Sequence, residues 1–86
     1  MGIVKYIACS TGKKFNIGEA IKDGWGLGWN GEQSLIGLKL QDRNNTKHKV
    51  EICSTDWFMG ILRVFYKDGS WQCFDHCIEQ FELDNN

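Results

Sequence analysis

The sequence predicts a mainly β domain of the α+β class, a small, strongly bent antiparallel sheet or barrel with one short N-terminal helix. Several short runs alternate apolar and polar residues, the period of a half-buried strand. Asp68-Gly69 stands between two such runs, the strongest short hairpin signal. The chain has 86 residues, with ten glycines and no proline, and this length makes a single domain over residues 1–86.

The elements follow in order. Ile3 to Cys9 is rich in β-branched and aromatic residues and reads as a strand, and 10–14 reads as a turn. Asn16 can cap a helix, with Glu19 three residues on in capping-box position and Gly24 as the stop. Residues 24–31, with four glycines around Trp25, Leu27 and Trp29, read as a loop.

Leu35 to Gln41 and Thr46 to Cys53 alternate as two strands joined by a turn at 42–45. Pairing Leu38 with Val50 sets Ile36 opposite Ile52, Leu40 opposite His48 and Lys39 opposite Lys49. In the second hairpin a two-residue Asp68-Gly69 loop pairs Lys67 with Ser70, Tyr66 with Trp71 and Val64 with Cys73. One face then carries Val64, Tyr66, Trp71 and Cys73 as a cross-strand cluster. Residues 75–78 read as one helical turn capped by Asp75, and Phe81 to Leu83 as a closing strand.

The run Leu62 to Trp71, then a short turn, then Phe81-Glu82-Leu83, resembles the C-terminal half of SH3-like and Tudor-like small barrels. The resemblance covers about a quarter of the chain and implies a binding module. Fold alone does not fix function.

Composition excludes several classes. Net charge is −1, so nothing pulls the whole chain toward nucleic acid or an anionic membrane. No apolar run approaches the roughly 20 residues that cross a bilayer. Nothing at the N-terminus looks like a secretory signal, so a cytoplasmic chain with reduced Cys9, Cys53, Cys73 and Cys77 is expected. Met1-Gly2 opens like an acylation site, but Tyr6 stands where Ser or Thr is needed.

Chemistry-bearing patterns are weak. Cys73, His76 and Cys77 lie close in sequence, but paired C-x-x-C knuckles are absent, so no metal and no cofactor is expected. Cys77 beside His76 is no catalytic signature, because a thiolate and its base must meet in space. Gly26-x-Gly28-x-x-Gly31 follows a helix where a dinucleotide loop should follow a strand. No enzyme is expected.

Two binding patterns remain. With aromatics at 13 % of so short a chain, Trp25, Leu27 and Trp29 are candidate apolar anchors on the glycine loop. The competing reading folds those indoles over an open end of the sheet. Lys39, Lys47 and Lys49, with Arg43 at the tip, make a candidate basic face, which could equally be an edge studded with Lys against aggregation. The sequence thus points to a small non-catalytic protein-binding module, comparable to viral or mobile-element inhibitors of host proteins. Its partner would be another protein with an acidic or apolar patch, or a second copy in a homodimer. The alternative is a nucleic-acid-binding small barrel using the same basic face and an exposed Trp.

Overall fold

The computed structural model describes residues 6–8, 14–16, 25 and 31–84. In chain order these form β1 (Tyr6–Ala8), β2 (Lys14–Asn16), α1 (Gly31–Ser34), β3 (Lys39–Asp42), β4 (Asn45–Phe58), β5 (Ile61–Tyr66), β6 (Trp71–Cys73), α2 (Phe74–Gln80) and β7 (Phe81–Leu83). The strands join in one path, β2-β1-β5-β4-β3-β7, and β6 also pairs with β5. Every pairing is antiparallel except that of β1 with β5, which meet through Ala8 and Ile61. β2 and β7 end the path and do not pair with each other, so the described sheet is open and not closed into a barrel.

β4 is the spine of the sheet. Its first half pairs with β3 and its second half with β5. Cys53 is an extra residue between the Ile52–Tyr66 and Ser54–Phe65 pairs. Such a bulge bends its strand and adds twist, which lets one strand serve both halves of the sheet.

β5 alternates strictly, with Leu62, Val64 and Tyr66 buried and Ile61, Arg63 and Phe65 only partly covered. The inward set joins Leu35, Leu40, Ile52, Phe74, Cys77, Phe81 and Trp25 in one core. Helix α2 closes over it, burying Phe74 and Cys77 one turn apart. Trp25 meets Phe74 edge-on at 5.8 Å between ring centroids. A polar chain runs beside this core. Gln80 Nε2 donates to Asp42 Oδ2 at 3.1 Å, and Gln72 Nε2 donates to Gln80 Oε1 at 2.7 Å. The Tyr66 hydroxyl donates to Gln72 Oε1.

Several sequence expectations are corrected. Asn16 is the last residue of β2, and the remainder of the expected helix over 16–24 lies outside the described residues. Residues 31–34 are helical and 35–37 turn, with Gly37 at φ 93°, so the strand begins at Lys39. Ile36, expected on the inner face, is half exposed. Helix α2 runs from Phe74 to Gln80, longer than one turn, and Cys73 is its N-cap, not Asp75.

Both hairpin registers shift. In the first, Leu40 pairs with Val50, Lys39 with Glu51 and Gln41 with Lys49, because an irregularity between Gln41 and Asp42 absorbs extra residues of β4. The slip is two residues, so the apolar face is kept, and Lys39 faces a carboxylate in place of Lys49. In the second, the slip is one residue. Phe65 pairs with Trp71, Val64 with Gln72 and Arg63 with Cys73. Asp68 Oδ1 accepts from the Ser70 N–H at 2.8 Å, and Gly69 takes φ 95°. The loop is therefore three residues, 67–69, with its glycine in the left-handed region. A one-residue slip exchanges faces. Tyr66 and Val64 go to the core, and Trp71 goes to solvent beside Arg63.

Candidate functional site

Three adjacent strands build an aromatic face around one arginine. Asp56 pairs with Arg63 across β4 and β5, and Phe58 pairs with Ile61. Phe65 and Trp71 pair across β5 and β6. By strand alternation these side chains share the outer face. The Arg63 guanidinium lies 4.6 Å from the Phe58 ring centroid, 4.9 Å from Trp71 and 5.0 Å from Phe65. All three distances are within cation–π range. Asp56 fixes the guanidinium, accepting from Nε at 2.8 Å and Nη2 at 2.5 Å. The Arg63 hydrogen bonds hold the Asp56 carboxyl below its ordinary range, and the same pair raises Arg63.

The face runs onto the β4–β5 tip. Met59 and Gly60 form its two-residue loop, with φ 52° and 79°. Positive φ at both central residues is the type I′ pattern, which suits the twist of a hairpin. Methionine is an unusual choice there, because its Cβ crowds the left-handed conformation. Met59 is nevertheless 85 % exposed, and Trp57, Phe58 and Trp71 are 45 %, 51 % and 49 % exposed. Phe58 and Trp71 share the Arg63 face, while Trp57, paired with the buried Leu62, lies on the other side of the hairpin and Met59 stands at its tip.

The residues expected to bind a partner are placed differently. Trp25 is 1 % exposed and belongs to the core, so it is no surface anchor. Leu27 and Trp29 lie outside the described residues. Arg43 caps helix α2, donating from Nε and Nη2 to the Ile78 carbonyl at 3.2 and 3.0 Å. Lys49 pairs with Asp84 at 3.1 Å. Lys39, Lys49 and Lys67 line a cavity of about 340 Å³ together with Glu51, Asp68, Asp84 and Val50. Lysines and carboxylates alternate around it, so the expected basic face is a balanced charge ladder. Lys47 stays exposed on β4.

The cysteines and His76 do not converge into a reactive centre among the described residues. Cys77 is fully buried, and burial pushes its thiol up to about 12, so it stays protonated near neutral pH. Burial and the adjacent Cys77 also push the Tyr66 hydroxyl well above its ordinary range. His76 is exposed and faces Asp75 at 3.8 Å. Among the described residues, ligand atoms of Asp75, His76 and Glu79 come within 4.8 Å of one another. Among the described residues no helix is long and apolar enough to cross a membrane.

No protein-family model matches this chain, and no curated protein or solved structure matches it significantly.

The sequence reading missed the aromatic face for two reasons. The register error turned Trp71 inward, and the Met59-Gly60 turn passed unread. Its signal was present, since Gly60 stands between the apolar runs 57–59 and 61–62.

Proposed function

We propose that this chain is a non-catalytic protein-binding module whose contact surface is the face around Arg63 and the Trp57–Met59 tip. One observation carries the reading: three aromatic rings, Phe58, Phe65 and Trp71, surround a single fixed arginine, and two of them, Phe58 and Trp71, stay half exposed. Trp and Arg dominate the energetics of protein interfaces, because they combine large contact area with directed hydrogen bonds. Holding Arg63 in place before binding lowers the entropy lost on association.

The charge ladder on the β3–β4 face favours a protein partner over nucleic acid. A phosphate backbone is bound by unpaired lysines and arginines in a row. Here Lys49 and Arg43 already have intramolecular partners. The SH3-like comparison belongs to this proposal through the order of hairpin, helix and closing strand in β5 to β7. An adaptor or small inhibitor of a larger protein, of viral or mobile-element type, fits a module of this size.

The test is capture from source-cell extract with immobilised wild type, Trp71→Ala and Lys49→Ala. The proposal expects one discrete protein held by wild type and Lys49→Ala, lost with Trp71→Ala and little affected by salt. Binding that collapses as salt rises and is lost with Lys49→Ala would instead select the nucleic-acid reading.

A further inference from the structure

We propose that the outer edge of β6 is a strand-docking site, where an extended, electrically neutral segment of a partner protein adds to the sheet and lays an apolar side chain on the Trp71 face. This rests on the protein-binding reading above and specifies its mode.

The hydrogen-bond pattern defines the edge. At the hairpin end the Gly69 N–H donates to the Tyr66 carbonyl at 3.0 Å, and the Tyr66 N–H donates to the Ser70 carbonyl at 2.8 Å. Antiparallel pairs alternate between hydrogen-bonded and non-hydrogen-bonded. Counting from Tyr66–Ser70, the Val64–Gln72 pair is bonded, while Phe65–Trp71 and Arg63–Cys73 are not. The N–H and C=O of Trp71 and the N–H of Cys73 therefore point away from β5. Among the described residues β6 pairs with β5 alone. Trp71-Gln72-Cys73 contains neither the lysine nor the proline with which exposed edges are usually blunted.

The chemistry of the occupant follows. A residue set opposite Trp71 by strand addition would stand about 5 Å from it on the aromatic face. Trp71 and Phe65 ask for an apolar side chain there. Arg63 is a donor-only group that Asp56 has already neutralised. Its remaining N–H groups suit a neutral acceptor such as a peptide carbonyl. A second carboxylate would meet Asp56, whose side chain is 42 % exposed. The edge is three residues long, bounded by the 67–69 loop and by helix α2. One extended segment matches that length.

The probe is a displayed library of random short peptides panned on the full chain, followed by synthesis of the selected sequences. The proposal expects neutral sequences with apolar residues at alternate positions. N-methylation of the peptide residue whose N–H faces the edge should weaken binding about tenfold, and N-methylation of its neighbours should not. Cys73 already has φ −69° and ψ 145°, so Cys73→Pro fits the backbone while removing an edge N–H. Cys73 is 9 % exposed, so the variant is compared at a temperature where its own melting transition shows it folded, and there it should weaken binding about tenfold or more. The N-methylated peptides decide the matter on the unaltered chain should that variant misfold. If Trp71→Ala abolishes binding while Cys73→Pro and every N-methylated peptide bind undiminished, the face is used and strand addition is wrong. If no variant matters, both readings fall. A dimer in light scattering that Cys73→Pro dissociates would make a second copy the occupant and overturn the proposal.

Discussion

Replacing Met59 by Asn should make this protein more stable while making it bind less well. Met59 sits at φ 52° in a two-residue turn followed by Gly60 at φ 79°. A left-handed conformation costs a residue with a Cβ about 1–2 kcal/mol. Asn tolerates it, because its short side chain bonds the local backbone, and Asn-Gly is the preferred pair for this turn. What Met59 contributes by burial is small, since it is 85 % exposed. Full burial of a methionine is worth about 1.5–3 kcal/mol, and the covered fraction here scales that to a few tenths. The net expectation for Met59→Asn is a gain of about 1 kcal/mol. For a domain of this size that raises Tm by roughly 4–8 °C. Urea unfolding should show a higher midpoint with an unchanged slope, because the surface exposed on unfolding is the same. Met59→Val should move the midpoint down, since a β-branched side chain is worse in this conformation. An unchanged or lower midpoint for Met59→Asn would refute the strained-turn reasoning. Stability and partner capture rising together would remove the tip from the contact surface.

Further outcomes follow from the packing and the charges. Trp25→Ala should cost about 3–5 kcal/mol, a large part of the stability such a domain has, and should leave the chain largely unfolded in circular dichroism. Trp71→Ala, on the surface, should change stability by less than about 1 kcal/mol, which separates core from contact indole in the same assay. Asp42 is held below its ordinary range by Gln80, the Asn44 N–H and His48, Asp56 by Arg63, and Asp68 by Ser70. The unfolded chain therefore takes up these protons first, so their stabilisation is complete above about pH 4 and is lost as pH falls below it. Urea midpoints measured from pH 7 down to pH 2 should fall in that window. Asp42→Asn should flatten the fall, and an identical profile for Asp42→Asn would contradict the assignment. At pH 8 an alkylating agent should modify the exposed Cys53 quickly and Cys77 only on unfolding, as peptide mass spectrometry would show.

Much of the fold could be read from local chemistry. Asp68-Gly69 located a hairpin, the alternation of β5 was visible, and Phe81–Leu83 was recognisable as a closing strand. What local chemistry did not fix was register. The Asp68 carboxylate reaches the Ser70 N–H and makes a three-residue loop where the dipeptide alone suggests two. That one residue decides whether Trp71 is core or surface. In the first hairpin an irregularity at Gln41–Asp42 moved Lys39 from Lys49 to Glu51. A basic face read from alternation thus became a balanced one. Trp25 could be read either way, and only its packing on Phe74 decides for the core.

The face around Arg63 and the tip is most directly tested by placing a photo-reactive phenylalanine analogue at position 59 and, separately, at position 49. Irradiation in source-cell extract should crosslink one discrete protein through position 59 and nothing through position 49. Crosslinking through position 49 with none through position 59 would place the contact on the charge ladder and contradict the account.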